Sequence, residues 1–295
     1  MKETVQNALT VDVEDYFQVT NFASFIDSNS WDGYPSRVEK NTSDLLSTFD
    51  RYGVRVTFFI LGWVAERHPE LVKRIHREGH EVACHGYGHQ LVYELGEERF
   101  QQDIHRAKKI LEDICGSPVL GYRAPSYSIV NSSKWALDVL IQEGFSYDSS
   151  IFPTHHPRYG IPDAPRHHHE IKRKKGVIEE FPPSTVPIGK WNLPIAGGGY
   201  FRLFPYFFTK WGANRLNGRR EDFIFYLHPW EIDPGQPRFR EASSLSRFRH
   251  YVNLKTTQSK LERLLQDFQF APLKDYLFHK ENASSQISSG TSPKP

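Results

Sequence analysis

Short apolar runs, each ending in a polar cluster and each followed by a helical stretch, recur at least four times before residue 150. This alternation constrains the fold more than any other feature of the chain. Consecutive strands joined through helices pair in parallel, and repeated strand–helix units build an α/β sheet that closes or nearly closes into a barrel. The runs are Ala8-Leu9-Thr10-Val11-Asp12-Val13, Val54 to Ile60, His80 to Cys84, Val119 to Tyr122 and Phe145 to Asp148. Between them lie helical patterns: Val38 to Tyr52 with Leu45, Leu46 and Phe49 inward, and a stretch opened by Pro69 and closed by Gly79. Glu97 to Ile114 carries Phe100, Ile104, Ala107 and Leu111 on one stripe, and Ser132 or Ser133 can cap the next helix, which ends at Gly144.

After Phe152 the pattern breaks. Pro153, Pro157, Pro162 and Pro165 predict a surface excursion to about Lys175, and His167-His168-His169 within it reads as solvated. Val177 to Phe181 and Phe223 to Leu227 resume the strand pattern, and Thr257 to Phe268 has the spacing of a last amphipathic helix. Gly197-Gly198-Gly199 has no following Lys-Ser/Thr, so it is not a phosphate loop; it predicts backbone lying close to a ligand or another strand. Residues 281–295 lack periodicity and read as a disordered tail.

The polar clusters all follow strands, where α/β barrels keep their chemistry. Asp12 and Glu14 share a face by strand alternation, and Asp15 opens the following loop. His85 and His89, spaced i, i+4, can lie on one face of a helical turn and present two imidazoles to one metal ion at Zn–N distances of about 2.0–2.1 Å. His228, at a strand end beside Trp230 and Glu231, suits acid–base work, because burial and a carboxylate both tune an imidazole. A formal net charge of +2 gives no footprint for nucleic acid, and no run of 18 apolar residues exists to span a membrane. Two cysteines, Cys84 and Cys115, make no disulfide framework, and Met1 to Asn7 lacks an apolar segment of the kind that directs export. Together these predict a cytoplasmic location.

Five clusters in order, Asp12-Val13-Glu14-Asp15, His85-Gly86-Tyr87-Gly88-His89, Arg123-Ala124-Pro125-Ser126-Tyr127, Tyr147-Asp148-Ser149-Ser150 and Leu227-His228-Pro229-Trp230, resemble the motif set of the polysaccharide deacetylases with a NodB homology domain, carbohydrate esterase family four. With Gly-Gly-Gly-Tyr-Phe-Arg at 197–202, the combination is similar to the subgroup found with exopolysaccharide and exosortase gene clusters. The resemblance implies a distorted (β/α)7 barrel with a C-terminal extension. Residues 1–150 would form its N-terminal part, and a family-specific region over 151–280 would complete it. It implies a divalent metal, usually zinc, on His85, His89 and either Glu14 or Asp15. Asp12 would be the base, held by Arg123; His228 would be the acid, oriented by Asp148; and the developing oxyanion would meet a backbone N–H near Tyr127. Tyr127, Trp230, Gly198 and Tyr200 would meet the carbohydrate. The implied activity is removal of N-acetyl groups from a glycan such as an exopolysaccharide, in association with its synthesis complex. The rivals are a catalytically silent sugar-binding barrel and a metal-free hydrolase of cyclic amides.

Overall fold

The computed structural model describes residues 7–277, so the expectation of a disordered tail at 281–295 lies outside the described residues, as does most of the N-terminal segment. The strands are β1 (Asn7–Val13), β2 (Thr57–Ile60), β3 (Glu81–Cys84), β4 (Gly121–Tyr122), β5 (Tyr147–Asp148), β6 (His169–Arg173), β7 (Gly176–Glu180), β8 (Thr185–Ile188), β9 (Trp191–Pro194), β10 (Ile224–Leu227) and β11 (Phe270–Ala271); β1 to β5 alternate with helices as the pattern predicts, whereas β5 to β9 follow one another without a helix between them. One sheet runs β10-β1-β2-β3-β4-β5-β7-β6, with β11 against the start of β1. Seven consecutive strands of it, β10 through β7, are parallel, and β6 joins antiparallel at the edge. This is the seven-stranded barrel expected, and its distortion lies between β7 and β10. Among the described residues no strand pairs with both there. Instead the chain leaving β7 bridges them: Ser184 N donates to Ile224 O at 3.2 Å, and Tyr226 N donates to Ala196 O at 2.7 Å.

The helices Val38–Arg51, Pro69–Arg77, Glu97–Cys115 and Ala136–Gln142 pack outside the sheet through the apolar faces read from sequence; Leu45, Leu46, Phe49, Ile75, Phe100, Ile104 and Leu111 are all buried. The last long helix, Leu254–Asp267, begins three residues before the apolar spacing suggests. Among the helices of eight or more described residues, two have no clear signal in the sequence, Tyr206–Asn217 and Ser244–Tyr251. The first mixes exposed aromatics, Phe207 and Trp211, with buried Tyr206 and Leu216, so its apolar residues do not gather on one stripe.

The 152–175 excursion is more ordered than its prolines suggest. Its end forms β6, which pairs with β7 from His169↔Glu180 to Arg173↔Gly176. His168 is not solvated: its Nε2 lies 2.7 Å from Glu179 Oε2, and its ring stacks on Phe181 with centroids 4.1 Å apart. The glycine run fits the expectation of a close approach, and the neighbour is a strand. Gly197 has φ +127° and forms a bridge with Tyr226 of β10, where an added Cβ would lie 1.8 Å from Tyr226 O. No side chain fits there. Gly197→Ala is therefore expected to lose about 3 kcal/mol or more in a denaturant titration, or to fail to accumulate as soluble protein.

Candidate active site

Parallel pairing brings the strand C-termini together at one end of the sheet. Asp12 lies level with Phe59, Cys84 with Tyr122, Tyr122 with Asp148, and Val11 with Leu227. The residues just past these positions, Glu14, His85, Arg123, Ser149 and His228, therefore converge although up to two hundred residues of chain separate them. Asp12, Glu14, His85, His89, Tyr127 and His228 line one cavity of about 400 Å³.

Glu14, His85 and His89 form the innermost group, with potential ligand atoms all within 4.8 Å of one another. His85 Nδ1 donates to Arg123 O at 2.7 Å, which leaves Nε2 as the free ring nitrogen. Burial, against the pull of Asp12, takes the His85 imidazole down to about 4, so it is neutral near pH 7, the form a ligand requires. Glu14 Oε2 lies 2.6 Å from His89 Nε2 yet is a buried oxygen that accepts no hydrogen bond. Burial alone would raise the Glu14 carboxyl, but His89 and His228 hold it far below the usual carboxylate range. A buried, orphaned carboxylate oxygen beside two imidazoles is the donor set of a borderline divalent cation, and these residues fit one.

The histidines do not sit on a helical turn as their spacing suggests. Residues 85–91 form a loop in which Gly86 has φ +74° and His89 φ +52°. Asp103 of the helix Glu97–Cys115 pins it by accepting from Tyr87 N at 2.8 Å and Gly88 N at 3.2 Å. Asp103 was legible in one respect: it is an acid on the stripe that carries Phe100 and Ala107. Between the two acids left open by the sequence, Glu14 joins the histidines and Asp15 does not. Asp15 spends both oxygens elsewhere: Oδ1 accepts from Tyr16 N, and Oδ2 from Ser36 Oγ, Arg37 N and Val38 N at 2.7–3.1 Å. It caps the helix Val38–Arg51 from outside that helix.

Asp12 and His228 flank this group. Asp12 Oδ1 accepts from Arg123 Nη1 at 2.7 Å, and Oδ2 stands 3.9 Å from His228 Nε2. Arg123 is fully buried and also donates to Thr10 Oγ1, Ser149 O and Ser149 Oγ. On the other side, His228 Nδ1 lies 2.6 Å from Glu231 Oε1, and Glu231 Oε2 accepts from Arg202 Nε at 2.6 Å. Glu231 therefore orients His228, and Asp148 does not. Burial would lower the His228 imidazole, but Glu14, Glu231 and Asp12 outweigh it and raise it to about 9. Arg202, on the stretch after the triple glycine, was not foreseen; a lone Arg in a glycine-rich run carries no distinguishing spacing.

Asp148 accepts from Ser150 Oγ at 2.5 Å and faces Glu180 on the adjacent strand, where both carboxyls are fully buried. Burial raises both; the Asp148 charge raises Glu180 further, while hydrogen bonds from Glu180 and Ser150 oppose the rise at Asp148. The pair supports the site from behind: Ser150 Oγ accepts from Ala124 N, and Glu180 Oε1 from Ile151 N.

Of the residues expected to meet a ligand, Tyr127, Gly198, Tyr200 and Trp230 all line the cavity. The Tyr127 backbone N–H is already taken by Ala124 O at 3.0 Å, so it does not supply the oxyanion donor expected near this residue. Its buried hydroxyl has no partner among the described residues. Trp230 is a positioning residue as well as a wall: Nε1 donates to Glu14 Oε1 at 3.1 Å, and its ring stacks between His228 and His250.

Residues 29–144, which include His85, His89, Arg123 and Tyr127, match the family model described as polysaccharide deacetylase. Residues 149–278, which include Arg202, His228 and Glu231, match a domain of unknown function, DUF3473. A peptidoglycan-N-acetylglucosamine deacetylase from Bacillus cereus is 34% identical over 98 residues, which is 33% of this chain and 36% of that protein. The match thus spans little more than a third of the curated relative's length. Two solved structures share the fold. One, assigned as a polysaccharide deacetylase from Mycobacterium smegmatis, has a TM-score of 0.63 at 19% identity and covers 100% of this chain and 95% of its own. The other, assigned likewise from Pseudomonas aeruginosa, has a TM-score of 0.59 at 15% identity over 92% and 89%.

The carboxyl pair generates a pH prediction. A carboxyl raised on folding stabilises the fold in its protonated form, fully below the unfolded value near 4 and less as pH rises through the raised folded values. Glu180→Gln keeps the acceptor for Ile151 N and removes one of the two charges. It is expected to flatten the decline in thermal stability from pH 5 to pH 8, with a gain at pH 8 on the order of 1 kcal/mol. A parallel decline in both proteins would refute the assignment of this decline to the Asp148–Glu180 pair.

Proposed function

We propose that this polysaccharide deacetylase-family chain is a metal-dependent N-deacetylase that hydrolyses the acetamido group of N-acetylhexosamines in a glycan. One observation carries the proposal: a Glu14–His85–His89 group with an orphaned carboxylate oxygen is flanked by a base held by Arg123 and an imidazole held by Glu231, all in one cavity. A divalent cation, zinc being the one that this donor set suits best, would be held by Glu14, His85 and His89 and would supply Lewis acidity at the acetyl carbonyl and a lowered pKa for water.

The chain's own residues supply the rest. Asp12 Oδ2, the oxygen not occupied by Arg123, accepts a proton from the water that attacks the carbonyl carbon. A carbon–oxygen bond forms as the carbon–nitrogen bond breaks. His228 delivers its Nε2 proton to the departing nitrogen, so that the products are acetate and a free amine. Glu231 accepts from Nδ1 and keeps Nε2 turned to the cavity, while Arg202 keeps Glu231 ionised. Trp230 fixes Glu14 by hydrogen bond and limits the tilt of His228 by stacking.

The glycan we favour is an exopolysaccharide made by a complex with which this protein associates, on the motif combination at Asp12–Asp15, Arg123–Tyr127, Gly197–Arg202 and Leu227–Glu231. Free thiols at Cys84 and Cys115 support a reducing compartment such as the cytoplasm.

Acetate release from N-acetylglucosamine oligomers tests the activity. His228→Ala is expected to lower kcat on the order of 10²–10⁴-fold. Asp12→Asn is expected to fall comparably while retaining its metal in elemental analysis, whereas Glu14→Ala loses the metal. Metal loss in Asp12→Asn would make Asp12 a ligand; undiminished release by His228→Ala would remove the acid. Glu231→Gln should lower kcat about tenfold or more with little change in KM, since it orients the acid and does not touch the glycan.

A further inference from the structure

The cavity carries more positive charge at its mouth than the deacetylation chemistry uses. Its acidic lining is Asp12 and Glu14, both at the catalytic end and both engaged with cationic or imidazole neighbours. Its arginines are Arg158, Arg202 and Arg249. Arg202 is paired with Glu231, but Arg158 and Arg249 are exposed and have no carboxylate partner among the described residues. Arg158 is held in place from one side, donating to Asn21 Oδ1 at 2.9 Å. The two come from distant segments, the excursion after β5 and the helix Ser244–Tyr251, and both act on His156, which stacks on Tyr159 at 3.7 Å between centroids. Burial and these two guanidinium groups keep His156 neutral near pH 7, so it adds an apolar face and no charge.

Tyr159 and Phe248, the sequence neighbours of Arg158 and Arg249, also line the cavity. Tyr159 is stacked against His156 and Phe152, at 3.7 and 5.7 Å between centroids, whereas the Phe248 ring is 55% exposed. An exposed ring and two guanidinium groups in one cavity suit a sugar whose ring lies on the aromatic face and whose substituent is an anion.

We propose that Arg158 and Arg249 form an anion subsite, so that the preferred substrate is an N-acetylhexosamine carrying or adjoining an anionic substituent, a carboxylate or a phosphate. This rests on the deacetylase reading for the identity of the sugar; the subsite itself rests on the unpaired cations, the exposed Phe248 ring and their shared place in the cavity. Arginine's fork binds either oxyanion in two-point fashion, and the attraction weakens as salt screens it.

The test measures binding by calorimetry and acetate release in parallel, on the full chain at low salt. The probes are chitotetraose (neutral), a hyaluronan tetrasaccharide (carboxylate), and N-acetylglucosamine 1-phosphate against N-acetylglucosamine (phosphate). The wild type is expected to bind one acidic probe roughly tenfold more tightly than its neutral counterpart. Which pair shows the preference identifies the anion. Arg158→Gln/Arg249→Gln should bring the acidic-to-neutral ratio close to one, and Arg158→Lys/Arg249→Lys should restore part of it. Equal affinity for acidic and neutral probes in the wild type, or a preference unchanged in the Gln double variant, overturns the subsite. The two readings separate cleanly. Arginine-dependent binding without acetate release rejects the deacetylase and keeps the subsite. Acetate release without a charge preference does the reverse.

Discussion

Arg123 is a fully buried charge, and the rest of the site is arranged around its compensation. Its guanidinium meets Asp12 Oδ1, Thr10 Oγ1, Ser149 O and Ser149 Oγ, and lies 4.1 Å from the Phe59 ring. These partners come from β1, from the turn after β5 and from β2, so one side chain ties three parts of the sheet together at its C-terminal end. A buried pair of this kind adds little net stability compared with apolar packing, yet losing one partner costs about 3–5 kcal/mol, because the other charge is left uncompensated. The interaction that the core requires is the same one that aims Asp12. Structure and chemistry share a single residue here.

The same economy recurs around it. The Arg123 backbone carbonyl receives His85 Nδ1, which sets that ring's tautomer. Trp230 bonds Glu14 and stacks on His228, so ligand and acid share a support. Arg202 and Glu231 repeat on the acid side what Arg123 does on the base side, with Arg202 donating on to His250 O at 2.5 Å. The site is thus a chain of oriented pairs, and of its buried polar atoms without a hydrogen-bond partner, one oxygen of Glu14 and the hydroxyl of Tyr127 belong to residues that line the cavity. Open polar groups that line a cavity are where a ligand belongs.

Much of this was legible because parallel strands end together. Once the apolar runs are strands of one parallel sheet, the polar residues that follow them must meet, and Asp12, His85, Arg123 and His228 do. Strand alternation also favoured Glu14 over Asp15, and the structure agrees. What sequence could not give depended on pairing between distant segments. The choice of Glu231 over Asp148 as the partner of His228 turns on a tight turn after β10, which puts a residue three positions on back under the imidazole. Asp148 instead meets Glu180 across β5 and β7, a neighbour that only strand order reveals. The i, i+4 histidines suggested a helical turn; glycine at 86 and the Asp103 carboxylate make a loop that reaches the same end. His168 in the proline-rich excursion found a carboxylate because β6 pairs with β7, and nothing in the local composition signals an edge strand there.

The central claim is that Glu14, His85 and His89 hold a cation on which the hydrolysis of an acetamide depends. It is tested most directly by stripping the protein with a chelator, titrating zinc back, and following acetate release from an N-acetylated oligosaccharide alongside metal content. The account predicts that release falls to background in the stripped protein and returns in proportion to bound metal, levelling at one ion per chain. Full activity in a chain shown to be free of metal would contradict it.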